Sequence, residues 1–320
     1  MFRRLFLFAL GALFFTLLLL PALLVRGCFL RPPAGGGTGT TIVLYHAATG
    51  RLLRLGLEEY LVGVLAAEVP AAFHLEALKA QAVAARTMAI KRMKRFGGPG
   101  CRHSPAADLC DRPEDGQAWL SAAELRRKWG WRYPWLYARL ARAVEETRGL
   151  ILLYAGRPIE AVYHSTCGGR TEDATAVWGR AFPYLVSVCC GYDLFSPRLH
   201  STRRLSWQEA ARRLGLAGKV TGPPRDLAIL ARTPSGRVAT LRLWGRVLRG
   251  PAARAVFGLR STDFSVRAQD EDLIFTVRGN GHGVGLCQYG AEGMARQGVD
   301  FRRILRHYYP GVQLGRLRLD

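Results

Sequence analysis

Among the ionisable residues of this 320-residue chain, Glu68 holds the position that most needs a chemical reason. Leu57, Tyr60, Leu61, Val64 and Leu65 recur at helical spacing and define an apolar stripe that faces a core. Glu68 is the next residue in that phase, and carboxylates are rarely placed on a buried face without a task. Pro70 disfavours helix at Val69, so Glu68 falls in the last turn. There the unpaired carbonyls and the negative end of the helix dipole oppose ionisation. Desolvation acts in the same direction, which predicts a carboxyl group with a raised pKa. Such a group can release a proton near neutral pH, as a general acid must. The plainer reading of the same residue is a glutamate paired with a basic neighbour at the helix end.

Three further stretches carry reactive side chains. Gly279-Asn280-Gly281-His282-Gly283-Val284-Gly285 has the glycine density of a phosphate loop. It lacks the lysine and the strand–helix context with a following acidic residue, which excludes a nucleotide site. It reads as a tight loop that brings backbone close to a flat ligand and holds His282 out, or else uses His282 to cap the next helix. The loop from Gly97 to Gln117 holds Cys101, His103 and Cys110. In an oxidising compartment Cys101 and Cys110 suit a disulfide closing a short loop, with free thiols as a further reading. Tyr163 and Ser165 alternate along one strand and share a face that can line a cleft. The adjacent Cys189 and Cys190 can each bridge to Cys167 or another cysteine, with no connectivity fixed by spacing.

The elements that position these residues follow from the pattern of the chain. Leu5 to Val25 is an uncharged apolar run long enough to span a bilayer, and no small-residue cleavage site follows it. Residues 1–26 are therefore expected to form an uncleaved signal anchor. Cys28 is a poor lipid-attachment site because Arg26 stands where a small or apolar residue belongs. Residues 27–40, rich in glycine and proline, form a tether. Thr41 to His46 and a second strand through Leu52 and Leu55 deliver the chain to the Glu68 helix. An alanine-rich helix then runs from near Leu75 to about Arg95 with a narrow small-residue face, and a further helix spans Leu136 to Thr147. A hairpin rises from Gly149 to Tyr154, turns at Ala155-Gly156-Arg157 and returns through to Ser165. Between about 200 and 275, short helices at Ser206–Leu216 and Gly250–Leu259 alternate with strand pairs. This is expected to be a smaller lobe of a 41–320 domain. The predicted fold class is thus α+β: a membrane helix, then a mixed helix/sheet extracytoplasmic domain whose two lobes flank a groove.

Lys and Arg number 46 against 24 Asp and Glu, a formal charge of +22. Such a surface suits anionic lipid or the acidic polymers of a cell wall. The basic residues are scattered along the chain without the clustered stripe of a nucleic-acid reader, so no nucleic-acid partner is expected.

Three blocks resemble the stage II sporulation protein D family. The first is Leu57-Glu58-Glu59-Tyr60 to Glu68-Val69-Pro70, with Glu76-Ala77-Leu78-Lys79-Ala80-Gln81-Ala82 and Ala85-Arg86-Thr87. The second is Tyr163-His164-Ser165-Thr166-Cys167-Gly168-Gly169, followed by Val177-Trp178-Gly179, Pro183-Tyr184-Leu185-Val186-Ser187-Val188 and Asp193. The third is Gly281-His282-Gly283-Val284-Gly285 with Gln288-Tyr289-Gly290. The resemblance implies a membrane-bound peptidoglycan lytic transglycosylase with Glu68 as its acid and base. It implies glycan contacts from Arg86, Tyr163, Ser165, Tyr184, Asp193 and His282. It also implies a zinc site around Cys101, His103 and Cys110, from which this chain departs: Gly116 stands where a further cysteine is expected. Val186 replaces a family lysine. The implied partners are glycan strands stripped of peptide stems, a cell-wall amidase, and membrane proteins of the engulfment machinery. Beyond a structural zinc, no cofactor is required.

A glycosidase of the ordinary kind needs two carboxylates, and the sequence offers one in suitable surroundings. A lytic transglycosylase needs only one, because the 6-hydroxyl of the muramic acid ring attacks its own anomeric carbon. The competing expectation, drawn from amidase-enhancer proteins of the wider family, is a non-catalytic wall-binding module that activates an amidase.

Overall fold

The structure is a computed structural model and describes residues 40–112 and 116–317, together with Phe14. The expected anchor and tether lie outside the described residues apart from Phe14 and Thr40. Among the described residues no helix is long and apolar enough to cross a membrane. The described chain is α+β, with helices and short sheets mixed along its length.

Strands β1 (Thr41–His46) and β2 (Arg51–Gly56) form an antiparallel pair that leads directly into helix α1 (Leu57–Glu68). Helix α2 (Leu75–Arg92) follows, and its first turn is capped by His74, whose Nδ1 accepts from Glu76 N–H. The short strand β3 (Leu109–Cys110) adds to β1 in parallel. Helices α3 (Ala122–Trp129) and α4 (Tyr133–Glu146) come next, then β4 (Leu150–Tyr154) and β5 (Arg157–Pro158). α2 packs against α1, α4 and β4 and, from the far end of the chain, against α8 (Gln288–Arg296) and α9 (Phe301–Tyr308). The sequence predicts one small-residue face on this helix. Instead, every residue from Ala80 to Ile90 is buried, because alanines on all sides let five elements approach closely. α2 is the axis of the larger core.

The expected long hairpin is shorter than predicted. Pro158 has no N–H for a ladder and ends β5 after two residues. The chain then leaves β4, and β6 (Tyr163–His164) pairs in parallel with β13 (Leu286–Cys287). Two of the three sequence blocks are thereby joined through main-chain contacts. Helix α5 (Ala174–Trp178) lies between them in sequence.

A second buried cluster is built from residues 205–277, with Leu205, Leu241, Phe257, Phe264 and Phe275 at its centre. It is formed by β7 (His200–Ser206), α6 (Trp207–Arg213), β8 (Ala228–Arg232), β9 (Val238–Leu243), β10 (Arg246–Arg249), α7 (Gly250–Phe257), β11 (Asp263–Gln269) and β12 (Asp272–Arg278). Its two sheets run β10-β9-β8 and β11-β12-β7. The final strand β14 (Gln313–Arg316) returns to pair with β4.

Candidate functional site

A cavity of about 620 Å³ opens beside the end of α1. Its wall is made by Glu68, Met88, Arg92, Gly116, Gln117, Glu160, Val162, Tyr163, Trp178, Arg180, Phe182, Leu185 and His282. Of the residues predicted from sequence, it gathers Glu68, Tyr163 and His282.

Glu68 is the last residue of α1, and no basic residue occupies that last turn. The carboxylate is half-buried and accepts one hydrogen bond, from Ala118 N–H at 3.0 Å. No ion pair reaches it among the described residues. Burial pushes its pKa up, and the Ala118 N–H offsets that only in part. The segment that supplies Ala118 can lie against α1 because position 63 is glycine. A Cβ there would sit 2.2 Å from Trp119 Nε1 and 2.7 Å from the Leu120 carbonyl, whereas Leu120 N–H now bonds the Gly63 carbonyl.

Beside Glu68 runs a short polar array. Tyr163 OH donates to Gln117 Oε1 at 2.8 Å, and Gln117 Nε2 donates to the Ala85 carbonyl at 3.2 Å and faces Tyr60 OH at 3.4 Å. Burial, reinforced by the negative charge of Glu68, drives the Tyr163 hydroxyl well above its ordinary pKa, so it remains a donor. Gln117 was not singled out from sequence, since nothing in the spacing of a loop residue marks it.

His282 reaches the cavity wall with both ring nitrogens engaged. Nδ1 accepts from Val284 N–H at 3.1 Å, which leaves the proton on Nε2 to donate to the Tyr163 carbonyl at 3.0 Å. Burial, aided by Arg254 and Arg237, lowers its pKa to about 4, so the ring is neutral at physiological pH. The ring stacks obliquely on the exposed Trp178, 5.2 Å away between centroids. The loop glycines lie close against the protein's own chain. A Cβ on Gly285 (φ +71°) would sit 2.2 Å from the Val162 carbonyl, which keeps this loop tight against the entry to β6.

Other predicted contacts fall elsewhere. Arg86 does not line the cavity. It is fully buried, pairs with Glu58 at 2.5 Å, and donates to the carbonyls of Val144 and Leu150. Its helical phase places it on the side of α2 that faces α4 and β4. Asp193 is also fully buried, accepting from Gly168 N–H at 2.7 Å. Ser165 Oγ turns toward Thr166 Oγ1 at 3.4 Å, and Tyr184 OH accepts from Glu160 N–H at 3.2 Å behind the wall. Cys101 and Cys110 are buried with their thiols in contact, and the Cys110 thiol is pushed up to about 11 by burial and by that neighbour. His103 instead lies on the Tyr45 ring, 6.1 Å away, so the three expected ligands do not gather within reach of one ion. Among the described residues no disulfide joins the pair and no third donor gathers with it.

The wall also holds a second carboxylate that sequence reading passed over. Glu160 lies 3.9 Å from Lys91 Nζ, an ion pair at the rim. Arg180, its guanidinium 4.8 Å over the Phe182 ring, adds a cation and an aromatic face. Arg92 supplies a further cation. A cavity of this size with aromatic walls, a few directed donors and one carboxyl of raised pKa has the attributes of a small-ligand or sugar-ring site.

Comparison with known proteins bears on the whole chain. A family model described as SpoIID, stage II sporulation protein, matches residues 45–154. Stage II sporulation protein D of Bacillus subtilis (strain 168) is 38% identical over 288 residues, 88% of this chain and 82% of that protein. The stage II sporulation protein D of Bacillus amyloliquefaciens is 39% identical, over 86% of this chain and 78% of its own length. The amidase enhancer of B. subtilis is 27% identical across 79% of this chain, which spans 40% of that longer relative. Identity of 38–39% over 86–88% of this chain and more than three quarters of each relative has one consequence: the chain belongs to the stage II sporulation protein D family.

Proposed function

We propose that this protein is a peptidoglycan lytic transglycosylase that acts in sporulation or wall remodelling, with Glu68 as its single acid and base. The observation that carries this reading is the Glu68 carboxyl itself: half-buried, free of an ion pair among the described residues, raised in pKa, and set in a cavity wall beside a protonated Tyr163. Protonated Glu68 gives its proton to the oxygen linking N-acetylmuramic acid to N-acetylglucosamine, and that bond breaks. The 6-hydroxyl of the same muramic ring bonds to its anomeric carbon, and the Glu68 carboxylate takes the hydroxyl proton. The donor set is then restored and a 1,6-anhydro end is left. No activated water is needed, so Glu160 is free to remain in its pair with Lys91.

In this reading Trp178 and Phe182 stack against sugar faces, and Gln117 and Tyr163 address N-acetyl and hydroxyl groups. His282 acts by holding the Tyr163 main chain. The cluster of residues 205–277 forms a second lobe, while the cavity wall is drawn from residues outside it. The apolar run at Leu5 to Val25 anchors the chain in the membrane and leaves the bulk outside the cytoplasm, where its positive charge favours the acidic wall.

The test uses the purified full-length chain and glycan strands stripped of peptides. Release of 1,6-anhydro-muramic ends by the wild type, with loss of about a hundredfold or more in Glu68→Gln while sedimentation with glycan persists, is the expected result. Anhydro product from Glu68→Gln at the wild-type rate would sink the assignment. The name of one relative, amidase enhancer, supports a second reading in which the cavity binds glycan to stimulate an amidase. That reading expects Glu68→Gln to bind glycan and stimulate the amidase as well as the wild type does.

A further inference from the structure

Behind the cavity wall, three separate segments bring soft donors to one point. Cys167 follows β6, Cys190 and Asp193 share a tight loop, and Cys287 ends β13 and caps α8. One donor atom from each lies within 4.8 Å of every other, and all four residues are buried. Asp193 Oδ2 is 3.2 Å from Cys167 Sγ and 3.6 Å from Cys287 Sγ, while Asp193 Oδ1 is buried with no hydrogen-bond partner. A fully buried carboxylate with one unsatisfied oxygen, packed on three thiols, is costly unless something positive joins it.

The geometry points to a zinc ion bound by Cys167, Cys190, Asp193 and Cys287. Zinc–sulfur bonds of about 2.3 Å and a zinc–oxygen bond of about 2.0–2.2 Å set tetrahedral donors roughly 3.5–3.8 Å apart, so each donor need move by less than about 1 Å. Cys190 and Asp193 have the two-residue spacing common in zinc loops. The surroundings suit thiolates. Cys287 Sγ accepts from Cys167 N–H and Gly290 N–H, both at 3.3 Å, and lies at the positive end of α8. Tyr308 OH is 3.0 Å from Cys190 Sγ. The buried Arg237 guanidinium donates to the Cys167 carbonyl at 2.5 Å and sets a positive charge against three thiolates and a carboxylate around one dication. Four protein ligands close the site, which makes the ion structural. It clamps the exit of β6 to the start of α8, the two segments that flank Tyr163 and the His282 loop. Cys189, exposed and turned toward Arg170, takes no part.

The experiment measures metal in the full-length chain, purified without chelator, by mass spectrometry of the elements. About one zinc per chain is expected in the wild type and in the Cys101→Ser/Cys110→Ser double variant, and its loss is expected in Cys190→Ser. Since Cys190→Ser can fail to fold, Asp193→Cys provides a second arm. It should keep the ion, and its cobalt-substituted form should show thiolate charge-transfer bands and the ligand-field bands of a tetrahedral site. The proposal is overturned if the wild type and Asp193→Cys carry no metal. It is equally overturned if the double variant loses all zinc, or if non-reducing intact mass shows two of these three thiols joined as a disulfide.

Discussion

Ala118 N–H meets the Glu68 carboxylate at 3.0 Å, and it is the one hydrogen bond that carboxylate accepts among the described residues. A single donor holds the group in place without supplying enough stabilisation to keep it ionised against burial. This balance sets the pH behaviour. In the folded state the Glu68 pKa lies above the ordinary carboxylate value of about 4.3. The native state therefore holds a proton that the unfolded chain has lost, and stability falls as pH rises from the unfolded pKa through the raised one. Glu68→Gln should raise the melting temperature at neutral pH, and the gain should shrink toward zero near pH 4. Thermal melts of both proteins across that range decide it, and an equal gain at every pH would count against a raised pKa.

Catalysis should follow the same group with the opposite emphasis. The acid form is the reactive one for bond cleavage, so turnover of denuded glycan is expected to fall as pH climbs past the raised Glu68 pKa. His282, held neutral with a pKa near 4, contributes no limb between pH 6 and 8. Nitrogen NMR of the histidine rings should find His282 as the Nε2–H tautomer throughout that window. A titration midpoint for His282 above pH 6 would contradict the structure.

Position 63 should tolerate no side chain. Gly63→Val would drive a methyl group into Trp119 and the Leu120 carbonyl, at a cost of about 1–3 kcal/mol, and displace Ala118 and Gln117 from Glu68. The expected phenotype is a folded protein with activity lowered at least tenfold, resolved by comparing turnover with chemical denaturation. Full activity in a folded Gly63→Val protein would show that the 116–120 segment does not serve the site.

Arg86 separates a structural role from a ligand-binding one. Because its guanidinium is spent on Glu58, Thr147 and two carbonyls, Arg86→Met leaves Glu58 without its partner and should cost about 3–5 kcal/mol of stability. At low temperature, where the variant stays folded, its KM for glycan should match the wild type. A raised KM at unchanged stability would restore Arg86 to the binding surface.

Glu160 tests whether one carboxylate is enough. Glu160→Gln should leave the anhydro product unchanged and alter turnover by less than about tenfold, since that side chain sits in an ion pair with Lys91 at the rim. Replacement of anhydro ends by reducing ends in the wild type would instead assign Glu160 as a water-activating base.

Much of the placement could be read in the residues themselves. The phase of Leu57, Leu61 and Val64 with Pro70 beyond fixes where α1 stops and hence where Glu68 stands, because periodicity and a backbone restriction are both local. Ser206 as a helix cap, with its Oγ accepting from Glu209 N–H, is equally local. What escaped is nonlocal. Nothing in Gln117 announces that it joins Tyr163 to Tyr60, since that requires Gly63 to admit a loop 50 residues further on. The resemblance implied glycan contacts from Arg86 and Asp193, but both side chains are buried inside the protein, Arg86 on Glu58 and Asp193 against Gly168 N–H and the thiols of Cys167 and Cys287. The parallel pairing of Tyr163–His164 with Leu286–Cys287 overrode a plausible hairpin once Pro158 ended the ladder.

That pairing also dictates when the protein can become competent. The partners Tyr163 and His282 are separated by 119 positions along the chain, so the wall opposite Glu68 cannot close until the C-terminal portion has emerged from the ribosome and docked. A nascent or truncated polypeptide ending before Leu286 would hold its acidic residue and most of its helices yet lack a completed chamber. Under the proposed function, cleavage of the cell's own envelope is thereby withheld until synthesis is all but finished.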